Sequence, residues 1–299
     1  MLELDAARAR NVAPTLLAAF QTTGVFGTQA MPEDLAPPGV AEGSEEHLRF
    51  ITLTVALDYM RDADQLWEAG RRTYADPETR YLYDPVVVSD TGLAKLVRDM
   101  QRFGLSRKPN QDAHTWQQVC TTLAVHFEGR VGLLLQEAGF DALRLLALIR
   151  RSWSAGGFPF LKGPKISLLW VRMLHDNCGI ELHRIGLVPL PVDVHTAQAT
   201  LQIGCVRSGG WQGPMSELRE AVQAVWREAC SDQVGEAYPL RMDKPLWLLS
   251  RQGCRKTTTW PCEFLIRCPV AEYCQSQHVW LTVTGNVNQD GSESKVTLR

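Results

Sequence analysis

Apolar positions recur every three or four residues along most of this chain, and alternation with a period of two appears only near its end. Residues 1–47 read as one helix, within ELDAARARNVAPTLLAAFQTTG, followed by a Pro-, Gly- and Glu-rich connector assigned to a surface loop. FITLTVALDYMRDADQLWEAGRRTY interleaves apolar and charged positions as an amphipathic helix pair does, and Asp76-Pro77 and Asp84-Pro85 mark turns at its end. Further helices are predicted over 93–103, 115–127, 143–149 and 216–230. No strand-like alternation interrupts 48–230, so that region is expected to be mostly helical. The closing HVWLTVTGNVNQDGSESKVTLR predicts a small terminal β-hairpin. The pattern contains no internal repeat.

Two features of residues 161–195 break from ordinary helix packing. Leu161-Lys162-Gly163-Pro164-Lys165 has turn chemistry: Gly163 tolerates a positive φ, and Pro164 suits the first position of a helix. A buried helix starting there points Lys165 beyond its N-terminus, where free amides attract anions. Downstream, Pro189-Leu190-Pro191-Val192-Asp193-Val194-His195-Thr196 reads as a proline-stiffened approach that ends with Asp193 as the N-cap of the next helix. An N-cap role alone accounts for many such aspartates. A solvated or phosphate-binding amine is likewise the plain reading of Lys165, and a packed helix position that of His195.

At 299 residues the chain is long enough for one large domain or two lobes with cores of their own. A formal net charge of -2 argues against a generic polycation, yet Arg150, Arg151, Lys162, Lys165 and Arg172 follow one another with no intervening acid, a basic island on the hairpin. No apolar run approaches the roughly 20 residues needed to span a bilayer, and MLELDAARAR lacks a signal-peptide core, so a cytoplasmic protein is expected. In a reducing compartment the eight cysteines need burial or metal to explain them. Cys120, Cys178, Cys205 and Cys230 sit in apolar contexts and are read as core. Cys254, Cys262, Cys268 and Cys274 instead fall within 21 residues, spaced C-x7-C-x5-C-x5-C, which suggests a metal. Zinc sites favour CxxC knuckles, which this loop lacks; zinc and buried thiols remain the alternatives to an iron-sulfur centre.

The order LKG, Lys165, then PVDVH resembles the helix-hairpin-helix DNA glycosylases, and LWLLSRQGC followed by CPVAEYC resembles the C-terminal segment of endonuclease III and its adenine-excising relatives. KISLLWVRM with VPLPVDVHTAQAT looks like the archaeal 8-oxoguanine DNA glycosylases. The resemblance covers residues 48–275. It implies an all-α, two-lobed glycosylase fold: an N-terminal helix and connector (1–47), a helical core with its hairpin at 161–167 (48–250), a cysteine loop (251–275) and a β-hairpin tail (276–299). It implies a four-iron four-sulfur (4Fe-4S) cluster on Cys254, Cys262, Cys268 and Cys274. The cysteine spacing departs from that of endonuclease III, whose second interval is much shorter.

The implied activity is excision of a damaged base, an oxidised purine such as 8-oxoguanine, from double-stranded DNA by a monomer in the cytoplasm at the nucleoid. The catalytic residues implied are Asp193, which would stabilise the oxocarbenium ion, and Lys165, which would form a Schiff base and add AP lyase activity. DNA contacts fall to Gly163, Lys162 and His195. A neutral lysine is needed for the lyase step, so its pKa must be lowered by burial or a neighbouring cation. A second register, on the endonuclease III hairpin, puts Ser167 at the lysine position and leaves a glycosylase without lyase activity. Trp153, Trp170, Trp211 and Tyr59 are candidates for base stacking or for core. A non-catalytic DNA-structure-binding protein and a nucleoside or nucleotide N-glycosidase are the alternatives from other classes.

Overall fold

The computed structural model describes residues 2–59, 61–231, 237–257, 261–287 and 293–298. It is mostly helical with two small sheets. The chain divides into two compact units, one built from residues 1–29 and 189–299, the other from 30–188. These units do not follow the four segments read from the sequence. The reason is tertiary: the first helix buries its apolar stripe against helices that lie near the other end of the chain.

In the first piece of the discontinuous unit, β1 (Glu3–Leu4) leads into α1 (Ala6–Thr22). Asp5 caps α1 by accepting from Arg8 N at 2.9 Å, and Ala9, Val12 and Leu16 are its buried stripe.

The continuous unit holds α2 (Glu45–Val55), α3 (Ala63–Ala75), α4 (Pro85–Ser89), α5 (Leu93–Gln101), α6 (Pro109–Phe127), α7 (Val131–Glu137), α8 (Ala142–Ile149) and α9 (Ile166–Asp176). Asp84 caps α4 with two backbone amides and Pro85 opens it, so the expected turn there is a helix start. Pro109 likewise starts α6 earlier than its apolar pattern predicts, and α7 is a further helix beyond those expected. Phe50, Trp67, Tyr74, Tyr83 and Trp116 form an aromatic core with neighbouring ring centroids 5.2 to 6.2 Å apart. Trp170 Nε1 on α9 donates to Thr52 Oγ1 on α2 at 2.9 Å.

The connector expected to be a surface loop is partly core. Its turn Pro32–Asp34 buries Glu33, which pairs with the buried Arg172 of α9. Breaking such a pair from one side costs about 3–5 kcal/mol, because the remaining charge stays in low dielectric.

The second piece of the discontinuous unit contains α10 (Val194–Gln202), β2 (Val206–Arg207), β3 (Gly210–Pro214), α11 (Met215–Ala229), α12 (Asp243–Leu249), β4 (Trp280–Val287) and β5 (Glu293–Leu298). β1 pairs antiparallel with β2. The terminal hairpin is present, with β4 antiparallel to β5, but it is not a separate tail: β3 joins β4 in parallel, with Trp211 opposite Leu281. The residues of the expected Asn/Asp/Gly turn at 288–292 lie outside the described residues. The sequence GGWQGP has no alternation, so β3 could not be read locally and interrupts a region expected to lack strands. After α12 the backbone continues as a single π-turn, Ser250–Cys254. Among the described residues, no helix is long and apolar enough to cross a membrane.

Candidate functional site

The hairpin residues 161–165 precede α9 as expected, although the helix begins at Ile166 rather than at Pro164. Ser167 N donates to Gly163 O at 3.0 Å, closing the first turn. Gly163 does not take a positive φ, and a Cβ placed on it would meet only Ile166 at ordinary contact distance. The expected backbone reason for a glycine is therefore not found there. Lys162 is exposed and Gly163 half-buried.

Lys165 Nζ lies 3.4 Å from both the backbone O and Oδ2 of the buried Asp58. The Lys165 amine is thus engaged by Asp58 within the continuous unit. Ser167, the alternative in the second register, is fully buried within α9. The basic island is also dispersed: Arg172 is buried against Glu33 and Asp176, Arg151 pairs with Glu137, and Lys165 pairs with Asp58. Unbroken basicity along the chain has not become a basic surface, because acids distant in sequence reach three of its five members.

Asp193 lies in the other unit, where its surroundings are well specified. Leu190 and Val192 are buried, and Gln223 Nε2 of α11 donates to Leu190 O at 2.8 Å, fixing the approach. Asp193 then caps α10: its Oδ1 accepts from His195 N at 2.8 Å and Thr196 N at 2.9 Å. Thr196 Oγ1 accepts from Asp193 N at 3.0 Å, completing a capping box. The half-buried carboxylate is thus held in one orientation at the positive end of a helix.

His195 is buried, and its ring spans two elements. Arg255 Nη1 lies 3.2 Å from Nε2, and Ser250 Oγ lies 3.3 Å from Nδ1. Arginine can only donate, so Nε2 accepts from Arg255. The His195 ring centroid lies 5.2 Å from that of Trp247. Arg251 covers the same indole at 5.6 Å. Burial, followed by Arg251, pushes the Arg255 guanidinium down, and the Asp193 carboxylate acts on it in the opposite sense. Asp193, His195 and Arg255 form one electrostatic neighbourhood, in which His195 is buried. Ser250 and Trp247 complete this site without a specific signal in the sequence.

Cys254, Cys262, Cys268 and Cys274 line one cavity of about 330 Å³, its open mouth included, together with Gln202 and His278. Among the described residues, no three His, Cys, Asp or Glu side chains are placed as they would be around a single metal ion. Burial, then the neighbouring thiols, pushes the Cys254 thiol well up. Burial raises Cys268 to about 11, and Cys274 is raised by burial against the lowering effect of Gln202 Nε2. Thr257 Oγ1 lies 2.9 Å from Cys262 Sγ. A positive centre in the cavity would favour the thiolate forms of its cysteines. By donor chemistry alone, four cysteines around one cavity suit a thiolate-bound metal centre, although their side chains are not arranged around a single ion.

Cys120, Cys178, Cys205 and Cys230 are all buried, and burial raises Cys178 and Cys205 to about 12 and Cys230 to about 11. Trp170 is core, whereas Trp153 and Tyr59 are exposed and Trp211 is half-buried. No family model matches the chain, and no curated protein matches it.

Proposed function

We propose that the chain is a DNA glycosylase of the helix-hairpin-helix superfamily, excising a damaged base from double-stranded DNA through Asp193. One observation carries this reading: Asp193 caps α10 at one end, and the far end of the same helix reaches the cavity lined by four cysteines. That joins in one unit two of the sequence features on which the resemblance rests.

In this reading the target nucleotide is extruded from the stack. The fixed carboxylate of Asp193 stabilises positive charge on the sugar as the N-glycosidic bond breaks. Water adds to the anomeric carbon, and its proton leaves with the departing base. His195, held by Arg255 and Ser250, keeps the helix start in place. Cys254, Cys262, Cys268 and Cys274 would hold a 4Fe-4S cluster, which when bound supplies a structural cationic centre. An oxidised purine is the leading substrate, by resemblance, and the working form is a cytoplasmic monomer at the nucleoid.

The ion pair of Lys165 with Asp58 favours hydrolysis through Asp193 over lyase chemistry through Lys165. Incubation with duplexes carrying single lesions, with and without borohydride, tests both points. Excision lost in Asp193→Asn with duplex binding retained supports the glycosylase. Binding and all activity unchanged in that variant would favour a DNA-structure-binding protein, and cleavage of free nucleosides alone would favour an N-glycosidase. A borohydride-trapped adduct lost in Lys165→Ala would restore the lyase reading.

A further inference from the structure

Gln202, the last residue of α10, is buried and turns its side-chain amide and its backbone carbonyl toward the segment that follows the third cysteine. Its Nε2 lies 3.4 Å from Cys274 Sγ and 3.1 Å from Gln277 O, and its Oε1 accepts from Val279 N at 2.9 Å. Its backbone O accepts from Gln275 N at 2.8 Å. Four bonds from one residue thus fix the chain from Cys274 to Val279, one of them ending on a thiol sulfur that lines the cavity. One helical turn earlier, Gln198 is equally buried and donates to Val279 O at 2.6 Å, but touches no sulfur.

We infer that Gln202 is an outer-sphere positioning residue for the metal centre, donating an N–H···S bond to the Cys274 thiolate and clamping the fourth ligand against the end of the helix that Asp193 caps. The inference rests on the cluster reading above. Hydrogen bonds to ligand sulfurs draw electron density from the metal and make its reduced form easier to reach. Outer-sphere partners of metal ligands also typically contribute 10- to 100-fold in metal affinity. A buried amide that satisfies sulfur, carbonyl and amide together does both with one side chain.

Gln198→Leu supplies the control, since it removes a buried amide from the same helix and a bond to the same residue without touching a sulfur. The full chain is purified as wild type, Gln202→Leu and Gln198→Leu. Iron and sulfide per chain, visible absorption during chelator challenge and the reduction potential are measured, with thermal unfolding alongside. Gln202→Leu is expected to lose iron at least tenfold faster than Gln198→Leu. Its potential is expected to shift negative by roughly tenfold in the reduction equilibrium, about 59 mV for one electron. If the two variants lose iron at the same rate and share one potential, Gln202 is merely structural and the inference is overturned. Wild-type protein lacking iron and sulfide would overturn the cluster reading itself, and this inference with it.

Discussion

Replacing Asp193 separates its two roles, because asparagine caps a helix nearly as well as aspartate but carries no charge. Asp193→Asn keeps an oxygen that can accept from His195 N and Thr196 N, and keeps the backbone amide that Thr196 Oγ1 accepts. Its stability cost is limited to the lost interaction of a negative charge with the helix N-terminus, about 0.3–1 kcal/mol. Asp193→Ala also loses both accepted bonds and should cost about 1 kcal/mol more. At about 2–4 °C per kcal/mol, the two variants should melt in the order wild type, Asn, Ala with steps of a few degrees. Excision should follow a different order. Removing a preorganised electrostatic stabiliser costs about 10²–10³ in rate, so both variants should fall together by about 3–4 kcal/mol of transition-state stabilisation. Single-turnover excision on lesion duplexes at saturating enzyme reads the second quantity, and thermal unfolding the first. Wild-type excision by Asp193→Asn would refute the catalytic assignment; equal destabilisation by both variants would refute the capping argument.

Arg172→Ala should destabilise the continuous unit by about 3–5 kcal/mol by stranding Glu33 in the core, whereas Arg172→Met with Glu33→Leu should be near neutral or stabilising, as denaturant titration will show. The Arg184 guanidinium holds the Asp141 carboxyl down to about 2, below its usual 3.8. A depressed carboxylate contributes stability that is complete above its unfolded value and lost as pH falls through the folded one. Asp141→Asn should therefore flatten the acid limb of stability between those values while leaving its slope at neutral pH unchanged, read by denaturant midpoints across that range. Gly253→Ala would drive a Cβ into the ring of Phe26 beside Cys254, costing about 1–3 kcal/mol and lowering iron content; adding Phe26→Leu should recover both.

Helix positions were readable where an apolar stripe was long, as in α1, α3, α5 and α11, because one-sided burial imposes its period on the sequence. Where burial comes from all sides the stripe is lost and other signals must serve. In α10 the residues from His195 to Gln202 are all buried, so VHTAQATLQ shows no one-sided period, and the helix is expected from its cap instead. The capping aspartate located the start of that helix, since cap chemistry is local. Gln198 and Gln202, four apart in a buried helix, were a signal that went unread, for a buried amide implies a partner that must be supplied from elsewhere. The basic island failed for the complementary reason: Glu33, Asp58 and Glu137, which neutralise Arg172, Lys165 and Arg151, are remote in sequence. Glycine at 163 carried no such obligation, since neither its φ nor its contacts demand it.

The discontinuity of the cysteine-bearing unit sets an order of events during synthesis. Its first 29 residues emerge early, but their packing partners begin only at residue 189, after the whole of the continuous unit. At about 5–20 residues per second, that interval is on the order of ten to thirty seconds, ample for the continuous unit to fold first. Through that wait α1 keeps its buried stripe of Ala9, Val12 and Leu16 uncovered. The helices that cover this stripe, α11 and α12, precede the cysteine loop, so a nascent chain stalled before Met215 would present a hydrophobic helix with nothing to close it.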